Sequence, residues 1–106
     1  MTYRIFLERD VHDARDSLPG NVRQRMRRTI ASLANDPRPT GSQVLDTIGL
    51  DVPAGIEVRR FRLDPWRLVY AIHDADAWVW LLALRRRPPY DYDDLAALVD
   101  RMTARS

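Results

Sequence analysis

Arg60, Arg62 and Arg67, with the run Arg85-Arg86-Arg87, are the residues of this sequence with the plainest chemical use. A guanidinium is a planar fork that binds phosphate oxygens in pairs and stays protonated at physiological pH. Several held together stabilise negative charge, yet each is a poor proton acceptor, so acid–base work would fall to other groups. Tyr90 and Tyr92 follow the arginine run and offer hydroxyls that can donate a hydrogen bond or a proton. An ordinary tyrosine, with a pKa near about 10, is a weak base at pH 7. His12 falls on a surface helix and His73 just before a hairpin turn, which makes both the weaker candidates. Glu57 and Asp64 lie near the arginines and read as ion-pair partners. No cysteine is present, so zinc–thiolate sites and disulfides are excluded. Gly41 is followed by Ser42-Gln43 rather than Lys-Ser or Lys-Thr, so no phosphate-cradling loop is signalled. Neither a cofactor nor a metal is expected.

The elements that must hold these side chains are three short strands between Glu57 and Tyr90, rich in aromatic, β-branched and leucine residues. Asp64-Pro65 and Asp74-Ala75-Asp76 separate them as turns. Alternation sends Arg60 and Arg62 to the face opposite Phe61 and Leu63. On the second strand Leu68, Tyr70 and Ile72 form the expected core face, and Arg67 points away from it with Val69, Ala71 and His73. Residues 77–84 are apolar on both faces and suit a central strand. Simple alternation puts Trp78, Trp80, Leu82, Leu84 and Arg86 on one face. With helices on one side of the sheet, the other side becomes a basic surface centred on Arg60, Arg62, Arg67 and Arg86.

Around that meander, Tyr3–Leu7 alternates as a strand, and Asp10 offers an N-cap to a short helix carrying Val11, Ala14 and Leu18. After a break at Leu18-Pro19-Gly20-Asn21, residues 22–36 place Val22, Met26, Ile30 and Leu33 on one helical stripe, with Arg23, Arg25, Arg27 and Arg28 elsewhere on its surface. Residues 36–56 read as a long loop with room for one helical turn at Val44-Leu45. Pro88-Pro89 stops the last strand, and Asp91 is placed to cap a final helix with Leu95, Leu98, Val99 and Met102 on one stripe. The expectation is an α+β domain over residues 1–106. A small antiparallel sheet has an N-terminal helical hairpin and a C-terminal helix, in the order β-α-α-β-β-β-α.

The chain of 106 residues carries a net charge of only +2, so nucleic-acid affinity has to come from local clustering. All 17 basic residues are arginine. No apolar run has the length of a signal peptide or a membrane span, and with no cysteine the expected setting is the cytoplasm, away from membranes. Plainer readings stand beside the functional ones. Arg85 and Arg87 also suit solvated surface, as does the arginine-rich helix, and Trp66 suits either base stacking or closure of its hairpin. For Trp78 and Trp80 packing is the better explanation.

The element order, the Asp36-Pro37-Arg38-Pro39-Thr40-Gly41 turn after an arginine-rich helix, Leu45, the Arg60/Arg62…Arg67-Leu68-Val69-Tyr70 run and the closing Arg86…Tyr90 spacing carry a resemblance. From about Tyr3 to Leu98 the chain resembles the RelE/ParE superfamily of toxins from type II toxin–antitoxin systems. RelE-like members cut messenger RNA in the ribosomal A site, whereas ParE-like members share the fold and act on DNA gyrase. The resemblance implies a cognate antitoxin, contact with operator DNA only through that antitoxin, and either ribosome and mRNA or gyrase as target. A non-toxic module that only partners an antitoxin is a third possibility. By residue, the resemblance assigns catalysis to Arg67, Arg86 and Tyr90, and RNA contacts to Arg60, Arg62, Arg85 and Tyr92. The implied reaction is attack of a ribose 2′-hydroxyl on its own 3′-phosphate, leaving a cyclic phosphate. RelE-like enzymes often use lysine, histidine, glutamate or tyrosine for proton transfer, and this chain has no lysine and only two histidines, His12 and His73.

Overall fold

Alternation in the central third of the chain does produce three long strands, and everything else is laid around them. The structure, a computed structural model, describes residues 2–105. Its elements are β1 (Arg4–Leu7), α1 (Arg9–Asp16), α2 (Gly20–Ser32), β2 (Ser42–Val44), β3 (Ile56–Leu63), β4 (Trp66–His73), β5 (Trp78–Arg86) and α3 (Leu95–Arg105). The strands form one sheet in the order β1-β5-β4-β3-β2. This is the expected α+β architecture with two additions. β1 runs parallel to β5, because the chain leaves β1 straight into α1 beside β5, so the sheet is mixed. Part of the long loop supplies β2, which pairs antiparallel with the free edge of β3 where a helical turn had been an option.

The apolar stripes bury as the helical spacing requires, but on both faces of the sheet. Val11 and Leu18, with Met26, Ile30 and Leu33 of the α2 stripe, pack on Leu68, Tyr70, Ile72, Val79, Leu81 and Leu84. On the opposite face, Leu95, Leu98, Val99 and Met102 of α3 pack on Val58, Val69, Ala71, Leu82 and Ala83. β4 is therefore covered on both sides, and the side expected to be an open basic surface is roofed by α3 over most of its length. The final helix starts at Leu95, later than a cap at Asp91 would place it. Asp91 instead accepts the Asp93 amide at 3.2 Å, which makes a turn, and Tyr92 takes a left-handed φ of 67°.

One irregularity sets the faces at the end of the sheet. Val69 pairs with Ala83, but the next residue, Tyr70, pairs with Leu81, so β5 carries a bulge at Leu82. A bulge adds one residue to one strand and reverses the alternation beyond it. Leu82 and Ala83 thus both join the α3 side, while Leu84 joins Val79 and Leu81 beneath α1 and α2. The expected face shared by Trp78, Trp80, Leu82, Leu84 and Arg86 does not form. Arg85 is paired with Arg67, and Arg86 with Trp66, which packs against the α1/α2 core.

Deep in that core the Tyr70 hydroxyl donates to the Pro37 carbonyl at 2.8 Å and ties the end of the helical hairpin to the sheet. Tyr70→Phe leaves a buried carbonyl unpaired and should lower unfolding free energy by about 1–2 kcal/mol. Urea denaturation would read this as a lower midpoint at unchanged slope.

Candidate functional site

Beyond the reach of α3, the ends of β3, β4 and β5 lie side by side, and their register sets Arg62, Arg67 and Arg85 in one row across the sheet. Arg60 occupies the next row inward, beside Val69. Arg60 and Arg67 are each only 8% exposed, unusual burial for arginine, whereas Arg62 is exposed and Arg85 half-buried. One guanidinium nitrogen of Arg67 donates to the Asp64 carboxylate at 2.7 Å and to the Trp66 carbonyl at 3.0 Å. Its Nε is buried and has no partner. The side chain is thus braced at one edge and unsatisfied at another, the state of a donor awaiting an acceptor.

Arg60 donates to the Gln43 side-chain oxygen of β2. Burial and then Arg62 hold its pKa below the ordinary arginine value; Tyr92 opposes them, and Arg67 and Arg87 add smaller lowering effects. Gly41, Ser42 and Gln43 wall a cleft of about 320 Å³ with Arg60 and Arg62. Gly41 enters it at φ +96°, a backbone that disfavours a side chain. Sequence reasoning missed Gln43 because the strand that presents it is three residues long and carries no alternating apolar signal.

The two tyrosines part company. The Tyr90 hydroxyl donates to Asp94 at 2.6 Å, and burial, then Asp94, push its pKa well above the usual tyrosine value. Its hydroxyl is engaged as a donor to that carboxylate. Tyr92, turned by its left-handed backbone, buries a hydroxyl that has no partner. The Arg87 guanidinium lies 5.7 Å from its ring centre, and Tyr92 is among the groups that act on Arg60. Among the described residues the buried side-chain polar atoms without partners are Glu8 Oε1, Asp10 Oδ1, Arg67 Nε and the Tyr92 hydroxyl. Arg67 Nε and the Tyr92 hydroxyl belong to this site, and Asp10 reaches it through Arg85.

The remaining candidates, Arg85 apart, lie elsewhere. Arg86 is exposed and is carried by the bulge to the α1/α2 side, away from the Arg62–Arg67–Arg85 row. Arg85 is within 3.6 Å of Asp10 and 3.8 Å of Asp94, partly balanced and positioned by both. His73 is at the far end of β4, accepts the Asp76 amide at 3.2 Å and stacks on Trp78. His12 is exposed on α1, pairing with Asp13 and Asp16. Glu57 pairs with Arg38 and Arg59 on the opposite side of β3. Trp66 plugs the α1/α2 core instead of facing the arginine row. Among the described residues no cluster of three or more histidine, cysteine or acidic side chains could hold a metal ion. The arrangement gathers guanidinium groups whose forks suit a phosphate, with one unpartnered tyrosine hydroxyl buried beside them.

No protein-family model and no curated protein matches the chain. Solved structures do. It is similar to a chain of the archaeal RelE–RelB complex from Pyrococcus horikoshii OT3, with 25% identity and a TM-score of 0.72 over 85% of this chain and 100% of that one. An arginine double mutant of the E. coli toxin RelE in the free state matches with 14% identity and a TM-score of 0.64, over 96% of this chain and 98% of that one. A chain of the toxin–antitoxin complex RelBE2 from Mycobacterium tuberculosis matches with 19% identity and a TM-score of 0.63, over 82% and 100%. At the two lower identities the shared property is the fold.

The Tyr90–Asp94 bond makes a pH prediction. With a folded-state pKa raised above the unfolded value, Tyr90 contributes stability that is complete below about pH 10 and lost as pH rises further. Asp94→Asn removes the carboxylate charge and should bring Tyr90 ionisation to lower pH. A tyrosine ring carbon titration followed by NMR would detect the shift, and an unchanged curve would refute the assignment.

Proposed function

Taking as premise that the chain is a RelE-type toxin of a type II toxin–antitoxin system, we propose that it is a ribosome-dependent mRNA endoribonuclease that inhibits translation. The observation that carries this reading is the buried Arg67, with an unpartnered Nε, in line with Arg62 and Arg85 and beside Arg60. Like charges are costly to hold together in partly buried positions unless an anion joins them. A phosphodiester is an anion of fitting shape for such forks.

In this reading the ribose 2′-oxygen attacks the adjacent phosphorus as its proton passes to solvent. Arg67 and Arg60 stabilise the charge that builds on the phosphorane oxygens, and Arg62 and Arg85 hold the flanking backbone. The bond from phosphorus to the 5′-oxygen breaks, and the Tyr92 hydroxyl supplies the proton that the leaving oxygen needs. The products are a 2′,3′-cyclic phosphate and a free 5′-hydroxyl. Tyr92 takes the role because it is the tyrosine with an unengaged hydroxyl, and a general acid of this kind contributes roughly 10²–10⁴-fold. Arg86 and Arg87 extend the cationic surface past the reacting centre. A cognate antitoxin with an acidic, amphipathic segment would complement this surface and block it; the cytoplasm is the setting this reading requires.

One observation favours a second reading. Among the described residues no histidine lies beside the arginine row, and the carboxylates there, Asp10, Asp64 and Asp94, are each engaged with an arginine, so a non-catalytic inhibitor of DNA gyrase, held by the same cationic end, accounts for the site without any base.

Primer extension on a reporter mRNA in cell-free translation, with and without ribosomes, separates the two. The expected result is cleavage at a fixed phase within codons only when ribosomes are present. Arg67→Ala should reduce it by about 10²–10³-fold, Tyr92→Phe by at least roughly 10²-fold, and Tyr90→Phe far less. Arg85→Ala should weaken cleavage more than Arg86→Ala. Intact mRNA in an active translation mixture, with inhibition of gyrase supercoiling, would overturn the nuclease reading.

A further inference from the structure

A second feature lies at the opposite edge of the sheet from the Gln43 cleft. His73, Trp78, Trp80 and Phe6 form a ladder of touching rings across β4, β5 and β1, with centroid separations of 5.3, 5.8 and 5.6 Å. Arg4 closes the ladder, 5.6 Å from the Phe6 ring centre. Phe6, at its outer end, is 40% exposed although aromatic. Beside Phe6 and Trp80 opens a cleft of about 810 Å³ also lined by Leu7, Glu8, Arg9, His12, Asp13 and Arg105. That volume is within the range of sites for small organic ligands.

Glu8 supplies a polar anchor. It precedes α1 but its carboxylate caps no helical amide. Although only 3% exposed, Glu8 pairs through Oε2 with Arg105 at 3.0 Å and leaves Oε1 without any partner. A buried carboxylate oxygen in that state needs one donor.

We infer that this cleft binds an unpaired nucleobase bearing an exocyclic amine, stacked on Phe6 and Trp80, with the amine donating to Glu8 Oε1. Arg105 already balances the Glu8 charge, so a lysine or arginine from a protein would bring a further cation beside Arg9 and Arg105. A nucleotide brings a neutral amine for the oxygen and an anionic phosphate for those two arginines. Aromatic shelves that take splayed-out bases, with edge hydrogen bonds selecting among them, are how single-stranded RNA is read. Uracil is disfavoured here because its ring N–H sits between two carbonyl oxygens that repel a carboxylate. The inference goes beyond the proposed cleavage and holds whether or not the arginine row cuts RNA.

The test is an NMR titration of the full chain with cytidine and uridine 5′-monophosphates, pyrimidines of the same size, following the Trp80 indole and Phe6 ring signals. Cytidine monophosphate should shift those signals at about ten-fold lower concentration than uridine monophosphate. Phe6→Ala, at an exposed ring, should weaken this response about ten-fold while leaving mRNA cleavage by the arginine row unchanged. Glu8→Gln, which keeps the shape, should reduce the difference between the two nucleotides. Equal responses to both nucleotides, a response reproduced by inorganic phosphate alone, or shifts confined to residues of the arginine row would overturn the inference.

Discussion

Burial of β4 on both faces is the constraint from which the rest of the molecule follows. Val69 and Ala71 are as inaccessible as Leu68, Tyr70 and Ile72, so a helix layer is needed on each side. The N-terminal hairpin provides one and α3 the other. A strand enclosed in this way has its charged residues at its ends. Arg67, the second residue of β4, is held where the apolar cover stops and polar partners begin. The protein side supplies bracing to Arg67 and Arg60 through Asp64, the Trp66 carbonyl and Gln43, and no full set of counter-charges. A rigid layer of apolar packing thus holds cations in positions they would not choose in water.

Much of this was legible in the sequence because it depends on period. The two-residue period of Phe61/Leu63 against Arg60/Arg62, and the helical stripe through Met26, Ile30 and Leu33, each led to the observed face. The short β2 was not legible: Ser42-Gln43-Val44 has no apolar pattern, and it becomes a strand because β3 offers an unpaired edge. The role of α3 as a second cover was missed although its stripe was identified, since a stripe shows that a helix packs and not on which side. The sheet's parallel pair is likewise set by the path of the chain from β1 into α1, which is a three-dimensional matter.

The site was legible in residue type more than in residue position. Arginines at strand ends identified the cationic end of the molecule, and Arg60, Arg62 and Arg67 do meet there. The two tyrosines differ by a backbone conformation and one carboxylate. Tyr90 meets Asp94 within its own turn, and Tyr92 is swung by a positive φ toward the arginines. Nothing in Tyr90-Asp91-Tyr92 as a string distinguishes them. The Glu8–Arg105 pair, which joins the end of the last helix to the start of the first, has a separation in sequence too large for any local pattern to reveal.

The bulge at Leu82 gives the arginine run a property its composition conceals. Arg85, Arg86 and Arg87 look like three copies of one charge, a redundant stretch in which any member might substitute for another. The extra residue in β5 assigns them separate addresses: one beside Arg67 and two carboxylates, one on the α1/α2 side with Trp66, one over the Tyr92 ring. Removing a single residue upstream would permute those addresses without altering the run itself. For this chain, the length of the strand before the arginines carries as much information as the arginines do.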